Sequence, residues 1–472
     1  MDHVLYGLAA NPALPSAVVD RLIAEAGTAA DVPTFAEADG TELAEHLAAR
    51  PDLSPSQARA LAAHSEAVAV RLAYDGRIGA ADIDPGRRPG AALALLDVGR
   101  GRPEWARRFA TDPVVERRVK LAGCPGLPSE VAEALAADRE TTVVEELALW
   151  TERADLAARF AAHADPGVRR AAAANEATPA DALAVLLTDS PEIQQPALRN
   201  PSTPAQAAAR FADHPALLLR QELAARPDLP AEAGRRLADD PVPWVRANLA
   251  ENPAIDEPLI RRLAADRGHD VQRSLAHNPH VPLDVLALLA GATRIGPTLL
   301  PRIAAASPAE VEQLAVSTVP ALRMLLARRR DLPAAVRDTL ASDPDAKVVK
   351  SIASHPDLSE AQLRSAVDRF GAQTAAAAAA SPNASPALLE YLATGRLATH
   401  RALHAIAHHP DATPLALLAC LAHPKSRRPA AAHPALPLDT LITLLAAPDR
   451  ETAQAAAANP SLPLGTLLAL LP

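Results

Sequence analysis

His404 and His408 stand four residues apart, the spacing at which two imidazoles on one helix face hold a divalent metal. They belong to a late run of histidines: His400, His404, His408, His409, His423 and His433. No glutamate follows in the arrangement of a zinc protease, and no third ligand is fixed by spacing. His355, His409 and His433 also sit in a slot that elsewhere holds asparagine, so turn capping is the expected role. No metal and no cofactor is assigned. Cys124 has Arg117, Arg118 and Lys120 close in sequence, a setting that favours a thiolate. It too fills the asparagine slot, and a structural turn residue is expected. Gly99-Arg100-Gly101 is isolated and follows no strand, so it is not read as a nucleotide loop. Nucleophilic-serine and paired-aspartate motifs are absent, and the chain is not read as an enzyme.

The sharpest recurring polar feature is an arginine seven residues before a regularly spaced proline slot: Arg118, Arg169, Arg220, Arg246, Arg323 and Arg427. Lined up on one face, these guanidinium groups would hold an acidic peptide or phosphates. Turned inward, they would pair with the recurring aspartate of a neighbouring unit, such as Asp213 or Asp240, and brace the stack. Trp244 is a further partner-binding candidate. It precedes a slot reserved for a buried valine, so its ring is expected to point partly outward beside Arg246 and to offer an anchor. The competing reading is a ring that covers a gap between repeats. Asn11, Asn175, Asn200, Asn252, Asn278 and Asn459 are expected to cap turns.

The elements that must position these residues recur about every 26 residues, a period that marks a solenoid. The pattern Asn-Pro-x-apolar-Pro appears at Asn200–Pro204, Asn278–Pro282 and Asn459–Pro463. Leucines follow seven and ten residues after the first proline: Leu183 and Leu186, Leu286 and Leu289, Leu389 and Leu392, Leu441 and Leu444. Their spacing predicts a first helix of about ten residues with one apolar face. Asp-Pro pairs at Asp112, Asp165, Asp240 and Asp343 then predict N-caps for a second helix. Apolar residues fall eight and four before the next proline, as in Val245 and Leu249, Val271 and Leu275, Leu219 and Leu223, Val348 and Ile352. An alanine follows the second of each pair and permits close approach. The second helix is expected to run about eight residues and to stop at Asn-Pro.

Composition agrees with such a stack. Apolar residues make up 49% of 472, but aromatics only 2%, so alanine and leucine must fill the interior. The 45 prolines recur at fixed slots and act as punctuation. A net charge of −9 argues against bulk attraction to nucleic acid or anionic lipid. The two cysteines, Cys124 and Cys420, lie in distant units, which excludes a disulfide between them in a stack and favours a reducing cytoplasm. The start lacks the regions of a signal peptide, and no apolar run is long enough to span a bilayer.

The motif Asn-Pro-x-[Leu/Thr]-Pro-x-x-x-Leu-x-x-Leu-x-x-Asp, then Val-Arg-x-x-Leu-Ala-x-Asn-Pro, resembles the leucine-rich repeat variant family. Residues Trp244–Asn252, closing the unit that starts at Pro227, are a clear example. The resemblance is strongest over 165–290 and 330–472. It implies alternating short helices in a right-handed superhelix without strands. Some members of that family carry a cysteine-bound iron–sulfur cluster, which two distant cysteines cannot hold. The expectation is an all-α, right-handed solenoid of about 18 helix pairs spanning 1–472 as one domain. A surface insertion is expected at Thr28–Thr41, with degenerate repeats near 75–123, 150–175 and 291–329. The functional expectation is a non-catalytic, cytoplasmic scaffold that binds a protein or peptide. The alternative is a nucleic-acid-binding helical-repeat protein, base-processing in some relatives, which the net charge does not favour. The last unit stops after its first helix at an apolar end, Leu467-Leu468-Ala469-Leu470-Leu471, which suggests self-association there.

Overall fold

The computed structural model describes residues 2–28, 37–296 and 298–471. Among these residues the chain forms 35 α-helices and no strand, so the all-α helical-repeat architecture is as expected. None of the helices is long and apolar enough to cross a membrane. The expected insertion at Thr28–Thr41 falls largely outside the described residues.

A helix of seven to nine residues is too short to persist alone in water. Each must be held by the seam it buries, and the repeat pattern supplies that seam. Leu183, Leu286, Leu389 and Leu441 of the first helices are fully buried, as are Val245, Leu249, Val271, Leu275, Val348 and Ile352 of the second. Each such side chain is worth about 2 kcal/mol relative to exposure. Ala224, Ala250, Ala276 and Ala353 are also fully buried, where one helix backbone lies close to the next. Only Leu444 of the leucine slots is half-buried.

Two details differ from expectation. Several first helices are shorter than ten residues, as in Ala180–Leu186, Ala231–Leu237 and Leu438–Leu445, whereas Leu283–Ala292 and Glu360–Phe370 have the expected length. Pro179, Pro230 and Pro437 occupy the N-cap position rather than the first helical turn, which delays the start by a residue. Of the Asp-Pro aspartates, Asp112, Asp240 and Asp343 stand before the N-cap position and Asp165 fills it. Asp165 caps its helix directly through Gly167 and Val168 N–H. Asp240 and Asp343 instead accept Val242 and Asp345 N–H in a turn, and helices Pro243–Glu251 and Ala346–Ile352 start after it.

The chain divides into two compact units: Met1–Val68 with Gly296–Leu299 and Ile303–Pro472, and Ala69–Ile295 with Leu300–Arg302. In the second, the irregular stretch after helix Glu66–Tyr74 runs to helix Pro89–Asp97, in the first expected degenerate region. In the second expected degenerate region, helix Ala154–Ala161 buries Leu156 and Phe160.

In the first unit the two chain ends build one repeat together. Helix Asp2–Ala10 carries Val4 and Leu8 eight and four residues before Pro12, followed by Ala9 and Asn11, the full signature of a second helix. It packs on helix Arg450–Ala457 as any second helix packs on its predecessor. Leu8 and Ala9 are fully buried there. Asn11 Nδ2 donates to Ala457 O at 3.1 Å and Asn459 O at 2.7 Å. Gly7 sits where the helices nearly touch; a Cβ on it would lie 2.2 Å from Gln454 O. The N-terminal helix thus covers the last second helix, Arg450–Ala457. Leu467 is buried, while Leu464 and Leu468 remain exposed.

Candidate binding surfaces

The asparagine slot does more than cap a turn. In Asn252, Oδ1 accepts Ala254 N–H at 2.8 Å, which closes its own turn. Its Nδ2 donates to Ala224 O and Arg226 O of the previous repeat, both at 2.7 Å. Asn278, Asn200, Asn175 and Asn459 repeat the arrangement. Each amide thus satisfies the open carbonyls at the end of one helix and ties two repeats together. Arginine fills the slot at Arg50, Arg226 and Arg329. There the guanidinium reaches the same carbonyls and pairs with an aspartate two residues on, Asp52, Asp228 or Asp331.

Histidine does the same work as a neutral ring. His433 Nδ1 accepts Ala435 N–H at 3.1 Å, and Nε2–H donates to His409 O at 2.9 Å. His409 stitches to Ser381 O in the same way. Burial pushes the His433 imidazole below its ordinary value, which keeps the ring in the neutral form that this pattern needs. His355 is lowered by burial too.

The arginines seven before the proline slot turn inward. Arg118, Arg169, Arg220, Arg246 and Arg323 each direct Nε at an aspartate 20 residues on: Asp138, Asp189, Asp240, Asp266 and Asp343, at 2.5–2.7 Å. Each also donates Nη1–H to the carbonyl six residues back, as Arg246 does to Asp240 O at 2.6 Å. The aspartates in turn accept backbone N–H groups at the start of the following helix. Arg246 holds the Asp266 carboxyl below its ordinary value, and Arg118 and Arg169 do so for Asp138 and Asp189. Arg220 is 11% exposed and Asp240 3%, so this ladder braces repeats and presents little guanidinium to a ligand. Of the two suggested partners, Asp240 takes this role, whereas Asp213 pairs with Arg236 at the surface. Among the described residues Arg427 donates to Leu421 O and meets no carboxylate, alanine standing at 447.

His404 and His408 lie ring against ring at 4.5 Å, but no third ligand joins them among the described residues. His404 Nδ1 lies 3.3 Å from Lys425 O and His408 Nδ1 2.9 Å from His404 O, while His433 is committed to the stitch. Among the described residues no group of three or more histidines, cysteines or carboxylates is placed to hold a metal. Cys124 and Cys420 are free and buried, and burial pushes both thiols up to about 12. One cluster escaped the sequence reading. Tyr74 donates to Asp97 at 2.7 Å, Lys120 pairs with the same carboxylate at 2.7 Å, and the ammonium lies over the Tyr74 ring. The successive separation of 23 residues is the only signal for it, and it recurs in the surface pairs Arg107–Glu130 and Arg261–Asp284.

Large apolar side chains stay exposed on both kinds of helix: Val185, Leu288 and Leu415 on first helices, Leu218 and Trp244 on second helices. Trp244 is 61% exposed, and Leu218, at the same register one repeat earlier, is 48% exposed. Trp105, by contrast, is buried and Trp150 is 57% exposed.

No family model and no curated protein matches the chain. Among solved structures, UNC-45 from Drosophila melanogaster is similar at 13% identity over 93% of this chain and 76% of that one, with a TM-score of 0.24. Kap121p is similar at 13% identity over 97% of this chain and 49% of that one, with a TM-score of 0.20.

Proposed function

We propose that the protein is a non-catalytic scaffold of the leucine-rich repeat variant type that binds a protein or peptide in the cytoplasm. The observation that carries this reading is the pair Leu218 and Trp244, two large apolar side chains left in solvent at one register of adjacent second helices. A chain with 2% aromatic residues exposes a tryptophan at a cost, and an exposed Trp in an apolar patch is the commonest kind of interface anchor. The motif register supports the family reading, and two buried free thiols support a reducing compartment. The inward arginine ladder supports bracing for Arg118, Arg169, Arg220, Arg246 and Arg323, which leaves Trp244 as the binding candidate. Arg427 is a secondary one.

The test is affinity capture from native cytosol with the wild type and with Trp244→Ala and Leu218→Asp, followed by titration of each captured protein. A partner that binds the wild type and loses at least about tenfold in affinity with either variant supports the proposal. Equal binding by all three removes this patch as the docking site.

A further inference from the structure

We propose that the outer side of the second helices between Lys347 and Arg428 is a docking surface for an acidic protein segment. The inference rests on the scaffold reading and gives it a partner class. Two positions of each second helix, nine and six residues before the proline slot, lie three apart on one side; the first of each pair named below is exposed, and the second ranges from exposed to buried, as at Ala247. In the first unit they hold Lys347 and Lys350, then Gln373 and Ala376, then Arg401 and His404, then Lys425 and Arg428. The five cationic side chains and His404 are all exposed. In the second unit the same positions hold Glu192 and Gln195, Leu218 and Gln221, Trp244 and Ala247, Asp270 and Arg273. The basic run is thus a property of one stretch and not of the repeat.

Elsewhere on this chain of net charge −9 many surface cations are paired with carboxylates, among them Arg107, Arg159, Arg236 and Arg261. Here Lys347, Lys350, Arg401 and Lys425 have no carboxylate within ion-pair distance among the described residues, and Arg428 approaches Glu451 only at 3.8 Å. Residues 396–428 contain one acidic residue, Asp411. His400, Arg401, His404 and Lys425 line a cleft at the centre of this region, with His400 stacked against His423. The next second helix brings Glu451 into the register, helix Asp2–Ala10 after it brings His3 and Tyr6, and helix Glu37–Ala48 brings Glu42 and Glu45, so carboxylates bound the basic run on that side.

Those limits select the ligand. Four second helices at about 9 Å spacing span roughly 27 Å, which an extended chain covers in about eight residues. A nucleic acid would run on over Glu451, and no tryptophan, tyrosine or phenylalanine stands in these positions to stack a base, His404 being the one ring there. A lipid surface would need large apolar residues to insert among the cations, and the register holds only Ala376. A short run of aspartate or glutamate matches both the sign and the length.

The experiment is fluorescence anisotropy of a labelled nonaglutamate peptide titrated with the full chain at low and moderate salt. The expected result is saturable binding that weakens with salt. It should weaken at least about tenfold in Arg401→Glu/Lys425→Glu and several-fold in Lys347→Glu/Lys350→Glu. Arg273→Glu, at the same register in the second unit, should change it less than about twofold, and thermal melts should show all variants folded. No saturation by the wild type, or equal weakening by Arg273→Glu, overturns the proposal. Tighter binding to oligothymidylate or to phosphatidylserine vesicles, lost in Arg401→Glu/Lys425→Glu, overturns it in favour of that ligand. Retained capture through Trp244 alongside a failed peptide titration would leave the scaffold reading standing and remove only this surface.

Discussion

The stretch from helix Pro166–Ala174 to His269–Leu275 and the stretch from helix Ala372–Ala379 to Arg450–Ala457 share one backbone pattern but hold it by different chemistry. In the first, the slot before the proline is Asn175, Asn200, Arg226, Asn252 and Asn278, and the bracing slot is Arg169, Gln194, Arg220, Arg246 and Gln272. In the second, the corresponding residues are Ser381, His409, His433 and Asn459, with Ala375, Leu403, Arg427 and Ala453. The first stretch ties its repeats with charge-assisted hydrogen bonds; the second presses small residues together and keeps a few neutral stitches. A repeat therefore needs its end carbonyls satisfied and its seam filled, and more than one set of side chains does this. The stretch that spends fewer cations on bracing is also the one with cations free on its outer side.

The largest effect should come from glycines. Gly7 joins the close-packed stretch, where a Cβ would strike Gln454 O at 2.2 Å and Ala457 Cβ at 2.7 Å. Gly7→Leu should cost about 3 kcal/mol by overpacking, with faster amide exchange in 450–457 and unchanged exchange in 243–275. Gly234 belongs to the stitched stretch, and a Cβ there meets only side-chain methyls at 3.5 Å. Gly234→Ala should instead stabilise by about 0.5–1 kcal/mol, since alanine is the better helix former. A thermal melt of the two variants side by side checks the contrast, and equal losses would erase it.

Arginine removal comes next. Arg246→Met strands the Asp266 carboxylate, which is 9% exposed, and leaves Asp240 O without a donor. The expected loss is about 2–3 kcal/mol by urea unfolding, largely recovered in Arg246→Met/Asp266→Leu. Arg427→Met in the other stretch strands no carboxylate and should cost no more than about 1 kcal/mol. Asp266 is lowered in the folded state, so the contribution of its pair is present above the unfolded carboxylate value. It disappears only as pH falls through the lower folded value, in the acid range below about 4.

The helix pairs, their buried slots and the outward Trp244 were legible because each depends on spacing within a repeat. The inter-repeat bonds were less so. That Arg246 meets Asp266 follows from how far the stack rises per repeat, and a separation of 20 residues has meaning only once that rise is known. Likewise, Val4, Leu8 and Asn11 announce a second helix, and the last repeat announces a missing one, but only packing joins them. The basic register at Lys347, Arg401 and Lys425 is visible in the letters once every helix is indexed on its proline. It was hidden because net charge averages it away.

The smallest predicted effect separates the stretches by pH. His433 is buried between Ala435 N–H and His409 O, and a proton on Nδ1 would remove the acceptor and add a charge close to His408 and His409. Its folded value lies below the unfolded histidine value of about 6.5. The neutral ring therefore contributes fully above that pH, and the contribution is lost as pH falls from there toward the folded value. Asn278, which makes the same bonds with an amide, does not titrate. Between pH 7.5 and 5.5 the wild type should lose about 1 kcal/mol, seen as faster intrinsic-rate-corrected exchange in 424–436 but not in 269–281. His433→Asn should remove most of that dependence, because its Nδ2 and Oδ1 can take the places that Asn278 fills. If wild type and His433→Asn weaken in parallel over this range, the acid sensitivity belongs to the exposed histidines and the two stretches do not differ in how their stitches respond to protons.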